Sequence, residues 1–334
     1  MYKGRNKKMN QVQIPNTELR VSQIGLGSAL FGSAVSKDDA FRLMDRYADL
    51  GGNMIDTAEV YANWLPDVET SVSEKTIGEW MKERGNRNRL VVTTKGAHPR
   101  MDTMHIPRLS KAEIREDLEG SLRRLQVEAI DLYWLHRDDA SREAGEIIET
   151  MNDFVREGKI RYFGCSNWTA ERMREAQAYA AERGLQGFAA NQMMWSLAAV
   201  DKAQLSDPTL VPMDGEMYRL HLESKLAAVP YSSQAQGLFS KWEKGTYDEQ
   251  DERIAPQYRS VENVARWERS RRLAAELSLS VNRIVLGYLI SQPFPTIPIV
   301  GPNNVEQLLD SMSAAEVRLT PEQLAYLEEG EETG

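Results

Sequence analysis

The chain has 334 residues and a formal net charge of -9 at pH 7, from 41 Lys and Arg against 50 Asp and Glu. That surplus of negative charge disfavours nonspecific binding to nucleic acid or to an anionic membrane, and leaves a small molecule as the expected partner. Cys165 is the only cysteine, so no intramolecular disulfide can form, and no apolar run nears the roughly 20 residues of a membrane helix; a cytoplasmic protein is expected.

Met1 to Lys8 is basic but is followed by polar residues, and is not read as a signal peptide. Val12 to Ile14 and Leu19 to Val21 flank a Pro15-Asn16-Thr17 turn, which predicts a β-hairpin over about 9–22, placed to plug the floor of a barrel. Buried-strand runs then alternate with helical periodicity. Strands are expected at 22–27, 53–55, 90–94, 130–135, 160–164, 187–191, 226–230 and 296–300. Helices are expected over 38–50, 73–84, 111–125, 141–155, 169–183, 261–276, 281–292 and 304–312, with a looser segment at 214–225. Eight such units predict an α/β fold, a (β/α)8 TIM barrel forming one domain over 1–334, with extra C-terminal helices. The last of these, about 320–329, starts at a Thr320 cap followed by Pro321. Two stretches without periodicity, about 96–109 and 237–258, are expected to cover a site.

Polar chemistry gathers where the apolar runs stop. Asn53-Met54-Ile55-Asp56, then Tyr61, then Val91 to Lys95, then Ile130 to His136, then Cys165-Ser166-Asn167 each bring a proton-handling or hydrogen-bonding residue to a strand end. In a barrel those ends and their adjoining loops form one site. Singly, Asp56 also reads as a cap, Lys95 as a surface charge, and Tyr61 or His136 as core; their shared position favours a common role. His98 and His105 flank Asp102 at no metal-ligand spacing, and no metal is assigned.

Taken in order, these segments resemble the aldo-keto reductase family, and the resemblance runs from Ile24-Gly25-Leu26-Gly27 to the helix after Pro321. It implies a catalytic tetrad of Asp56, Tyr61, Lys95 and His136, and a nicotinamide dinucleotide bound in extended form without a Rossmann domain. Gly25 and Gly27 do not argue otherwise, because Leu30 stands where that fingerprint needs its third glycine. The chemistry fits the assignment. Hydride transfer to a carbonyl leaves negative charge on oxygen, so a proton donor must lie within reach, and Tyr61 is that donor. Lys95 is expected to lower the phenol's pKa, Asp56 to hold Lys95, and His136 to orient and polarise the carbonyl.

The same resemblance implies that Ser166, Asn167 and Gln192 hold the carboxamide and that Tyr231 stacks on the nicotinamide. Ser232, Gln234, Gly237, Leu238 and Ser240 would line the pyrophosphate, with Lys241 as counter-charge, and Gly301, Asn303, Asn304, Gln307 and Asp310 would lie toward the adenine end. Relatives commonly carry Arg or Lys where this chain has Asn303 or Asn304, so use of both cofactors is expected, with NADP(H) only modestly favoured over NAD(H). Trp64, Trp168, Trp195 and Trp242 lie near strand ends with Arg137, Asp138 and Asp139. Of these, Trp64, Arg137 and Trp195 are read as substrate contacts, suiting a sugar or polyol-like carbonyl beside a generic aldehyde or ketone. Two rival readings are a cofactor-sensing regulatory subunit of the same fold, and a glycoside hydrolase using Asp138 or Asp139. Nothing in the sequence fixes an oligomeric state.

Overall fold

The computed structural model describes residues 9–245 and 255–330. The chain opens with the antiparallel pair β1 (Gln11–Gln13) and β2 (Arg20–Ser22), turned by Ile14 to Leu19, where the Ile14 and Thr17 amides close the loop. Eight parallel strands come next among the described residues: β3 (Gly25–Gly27), β4 (Met54–Asp56), β5 (Val91–Gly96), β6 (Ile130–Leu135), β7 (Ile160–Ser166), β8 (Ala190–Gln192), β9 (Ala227–Ala228) and β10 (Ile299–Val300). β10 pairs with β3 at one edge. At the other, the Ala228 amide donates to Pro295 and the Ile297 amide to Ala228, both at 2.8 Å, which closes the ring. The fold is a (β/α)8 barrel.

The surrounding helices are α1 (Lys37–Asp49), α2 (Val72–Arg84), α3 (Lys111–Leu125), α4 (Ala144–Arg156), α5 (Ala170–Arg183), α6 (Gly215–Ser224), α7 (Leu238–Glu243), α8 (Val261–Leu277), α9 (Val281–Ile290), α10 (Val305–Ser313) and α11 (Pro321–Glu329). Side-chain caps start most of them: Ser36, Ser110, Thr169, Asp214, Ser260, Ser280, Asn304 and Thr320 each accept from an amide in the first turn. Such local signals explain why helix boundaries track the sequence closely.

Several boundaries differ from expectation: the strands expected from 22, 187 and 296 begin at Gly25, Ala190 and Ile299, and the helix expected to 292 ends at Ile290. The helix expected from residue 141 starts at Ala144, because Asp139 accepts from the Ser141 amide at 3.0 Å and its hydroxyl at 2.5 Å, holding that segment as a turn. Within the loop expected over 237–258, Leu238–Glu243 is helical and Pro256–Tyr258 forms a 3-10 turn. Residues 246–254 of that loop, like residues 1–8 and the acidic tail from 331, lie outside the described residues.

The core has two layers. Outside the sheet, Trp80, Ile114, Ile148, Met151 and Phe163 pack between strands and helices. Inside it, Met54, Leu132, Trp134, Val229 and Ile297 fill the barrel, and Ile14, Leu19 and Val21 of the hairpin join them, so the hairpin forms the barrel's floor. No single helix among the described residues is long and apolar enough to cross a membrane.

Candidate active site

Register builds the site. Asp56 ends β4 opposite Thr93 of β5, and Lys95 lies two residues beyond Thr93, on the same face of that strand. The Thr93 hydroxyl donates to Asp56 Oδ1 at 2.6 Å, and Gln192 Nε2 donates to the same oxygen at 3.1 Å. Lys95 Nζ then spends its three donors on Asp56 Oδ2 at 2.5 Å, the Thr57 carbonyl at 2.8 Å and the Tyr61 hydroxyl at 2.9 Å. A buried ammonium with every proton placed stays charged. Burial works against that charge, but Asp56 and Tyr61 outweigh it and raise the Lys95 pKa.

Tyr61 departs from expectation. Burial pushes its pKa up, and the opposing pull of Lys95 does not cancel that push, so the phenol lies above its ordinary range rather than below it. The reason is depth: a phenolate there would give up water for one cation already shared with Asp56.

His136 comes directly after β6, its amide bonded to the Gly96 carbonyl at 2.9 Å and its ring edge-on to Tyr61 with centroids 6.2 Å apart. Burial, then the neighbouring His98, Arg137 and Lys95, hold its pKa well below the usual range, so the ring is neutral. Its Nδ1 is enclosed without a hydrogen-bond partner.

Asn167 ties these groups to the next strand ends. It sits in the left-handed region at φ 59°, and its Nδ2 donates to the His136 carbonyl at 3.2 Å and to Ser166 Oγ at 3.1 Å. Its Oδ1 accepts from the Tyr231 hydroxyl at 2.7 Å and from the Val211 amide at 3.1 Å. Asp56, Tyr61, Lys95 and Gln192 thus form one hydrogen-bonded group, joined by the His136 and Tyr61 ring contact to a second group of Ser166, Asn167 and Tyr231.

The more distant expected residues divide. Ser232 and Gly237 adopt positive φ in the turns before α7, which carries Leu238, Ser240 and Lys241. Gly301 leaves open space where a Cβ would stand, just ahead of α10, whose cap is Asn304; Gln307 reaches back to the Asn303 amide at 2.8 Å. Gln234 and Asp310, however, are both bonded to Asn282: Gln234 Nε2 donates to Asn282 Oδ1 at 2.6 Å, and Asn282 Nδ2 donates to Asp310 at 2.7 Å. Those two side chains brace α9 against its neighbours.

Two of the three residues read as substrate contacts, Trp195 and Arg137, are buried among other side chains. Trp195 is 6% exposed and stacks on Phe294, with Tyr218 and Tyr288 edge-on to it. Trp168 and Trp242 are also buried. Arg137 is buried, its guanidinium bonded to Asp207 and Thr209 at 2.8 Å and to the His136 carbonyl at 2.9 Å. Asp138 pairs with Arg172, and Asp139 with Ser141 and Arg142, so neither carboxylate is placed to work on a glycosidic bond. Trp64 is the exception, 44% exposed and edge-on to Tyr61 at 6.2 Å.

Sequence reasoning missed Thr93, Thr57 and His98. Thr93 was findable from strand periodicity, since it shares a face with Lys95; the Thr57 carbonyl and the His98 ring, 4.8 Å from His136, depend on how the loops fold back.

A sequence model of the Aldo/keto reductase family matches residues 23–332. The chain belongs to this family. This aldo/keto reductase is 32% identical over 328 residues to the protein named uncharacterized oxidoreductase YrpG of Bacillus subtilis, covering 96% of the chain and 95% of that relative. It is 28% identical over 337 residues to norsolorinic acid reductase B of Dothistroma septosporum, covering 96% and 81%. It is 27% identical over 329 residues to the aryl-alcohol dehydrogenase GME11368 of Pestalotiopsis microspora, covering 95% and 80%. The protein is an oxidoreductase, and its family interconverts carbonyl and alcohol with a nicotinamide dinucleotide. Residues at the barrel mouth fit such a group: the Tyr231 ring is only part-buried beside Asn167, and the Gly301 space opens ahead of a helix N-terminus.

Proposed function

We propose that this aldo/keto reductase reduces a small carbonyl compound to its alcohol with Tyr61 as proton donor. One observation carries the reading: Lys95 Nζ is bonded at once to Asp56 and Tyr61, in a site where the phenol keeps its proton. The bound dinucleotide supplies the hydride. Tyr61 gives its proton to the oxygen as negative charge develops there, and the Lys95 ammonium, 2.9 Å away, stabilises the phenolate left behind. Neutral His136 donates a hydrogen bond to the same oxygen and fixes the carbonyl's orientation. Ser166, Asn167, Gln192 and Tyr231 are the groups that would hold the nicotinamide end; Gly301 and the α10 N-terminus would take an anionic group of the far end.

On the substrate side, Trp64 offers an exposed aromatic face beside Tyr61, and the loop after β5 exposes Met101 and Ile106. A carbonyl compound with a flat apolar part suits that rim better than a sugar, whose hydroxyls would need the polar partners that Arg137 gives to Asp207 and Thr209. Two relatives named for reducing norsolorinic acid and oxidising aryl alcohols support the same choice. Both cofactors are expected to serve, NADP(H) modestly better, because Asn303 and Asn304 bring no charge to a 2′-phosphate.

Tyr61→Phe tests the reading. Turnover of an aromatic aldehyde should fall roughly 100-fold or more while cofactor affinity holds. Wild-type turnover in that variant would sink it.

A further inference from the structure

His98 lies two residues beyond β5, on a pinned backbone: the Ala97 amide donates to Asp117 at 2.8 Å and Arg108 donates to the His98 carbonyl at 3.2 Å. The ring is 7% exposed and edge-on to His136, with centroids 4.8 Å apart. Its Nδ1 stands 2.6 Å from the Pro99 carbonyl oxygen, which can only accept, so Nδ1 carries the proton. Burial, helped by Arg137, holds the pKa down to about 4, and the ring is neutral at pH 7. Nε2 therefore presents a lone pair. Among the described residues it has no protein donor, yet it is not one of the enclosed unpartnered atoms, so it keeps some accessible surface, on a ring whose centroid lies 4.8 Å from that of His136.

His136 presents the opposite group. A proton on its enclosed Nδ1 would be a buried donor without an acceptor, so the proton belongs on Nε2, which faces the site. Two neutral imidazoles side by side thus offer one donor and one acceptor.

We propose that His98 is a specificity-determining residue, its Nε2 accepting a hydrogen bond from a substrate hydroxyl on a carbon next to, or one removed from, the carbonyl that His136 polarises. This rests on the reading of the site as a carbonyl reductase, and it narrows the substrate class to hydroxy-carbonyl compounds. The carbonyl oxygen accepts a hydrogen bond from His136 while the neighbouring hydroxyl donates one to His98; a plain ketone leaves the His98 lone pair without a partner.

The test compares 2-hydroxyacetophenone with acetophenone, using NADPH, in wild type, His98→Phe and His98→Gln. Wild type should prefer the hydroxy-ketone in kcat/KM, and His98→Phe should lower that preference roughly tenfold, the scale of one lost hydrogen bond. His98→Gln keeps an acceptor oxygen and should recover much of the preference. An unchanged ratio in His98→Phe overturns the proposal, even if both rates drop together, because that would mark His98 as packing for His136. Loss of both activities in Tyr61→Phe reports separately on the reductase reading. If wild type turns over neither ketone, calorimetric titration of the cofactor-loaded protein with the same two ketones decides the His98 proposal from the affinity ratio, and the aromatic aldehyde assay decides the reductase reading.

Discussion

Lys95 and Asp56 are each 1% exposed, and neither charge has water to fall back on. Lys95→Met should therefore strand a carboxylate in the core and cost about 3–5 kcal/mol of stability. Asp56→Asn in the same chain should return most of that stability without returning activity; chemical denaturation and a reductase assay together check both halves. With Tyr61 as the proposed proton donor, the pH dependence follows from its phenol. Its raised pKa keeps the phenol protonated through neutral pH, so carbonyl reduction should hold level there and fall only in the alkaline range, while alcohol oxidation, which needs phenolate, should climb as pH rises. Because Lys95 pulls that pKa down, any residual alkaline limb in Lys95→Met should move to higher pH. A limb that stays in place would mean that Lys95 does not act on Tyr61. The tryptophans separate by what they touch: Trp64→Ala should raise KM with little change in Tm, whereas Trp195→Ala should cost about 3–5 kcal/mol. Asp56, Lys95 and His136 were legible in the sequence because a strand's end fixes where its last inward side chain stands. Trp195 was not, because its ring direction is set by Phe294, 99 residues further along the chain.

At the scale of elements, α10 carries the cofactor question. Asn304 is the helix cap, its side chain accepting from the Gln307 amide at 2.9 Å, so replacing it would cost about 1 kcal/mol of capping. Exposed Asn303 is the better place for a cation. Asn303→Arg should tighten NADPH roughly 10- to 150-fold and leave NADH nearly unchanged, read by fluorescence titration. Equal effects on both would show that residue 303 does not meet the 2′-phosphate. The hairpin makes a different prediction. Leu19 is buried against the barrel interior on the floor side, so Leu19→Ala should cost about 2–5 kcal/mol while kcat at low temperature stays close to wild type. The hairpin, the strand order and the capped helices could all be read from turn residues, period and caps. The late start of α4 and the helix at Leu238–Glu243 could not, since one depends on an Asp139 side chain folding back and the other on a short apolar run, Leu238, Phe239 and Trp242, finding the core.

For the molecule as a whole, three of its four histidines are buried and held neutral: His98 and His221 with pKa about 4, and His136 well below its usual value. In the unfolded chain each would titrate near about 6.5, so between there and pH 4 the unfolded state binds more protons and stability must fall as pH falls. Each such ring contributes at most about 1.4 kcal/mol per pH unit. Urea unfolding at pH 7 and pH 5 should show the decline, with His221→Phe reducing its slope; a wild type equally stable at both would contradict the buried, neutral assignment. The barrel itself was legible because eight alternations admit few other closures, but its depth was not, since no periodicity says what seals the lower end. That seal has a kinetic meaning. With Ile14 and Leu19 filling the floor, the proposed site can be entered only from the barrel mouth, and two reactants of the proposed reaction must share that doorway. Whichever lies deeper has to arrive first and depart last, so initial-rate patterns should intersect and a dead-end analogue of the outer reactant should trap the inner one in place.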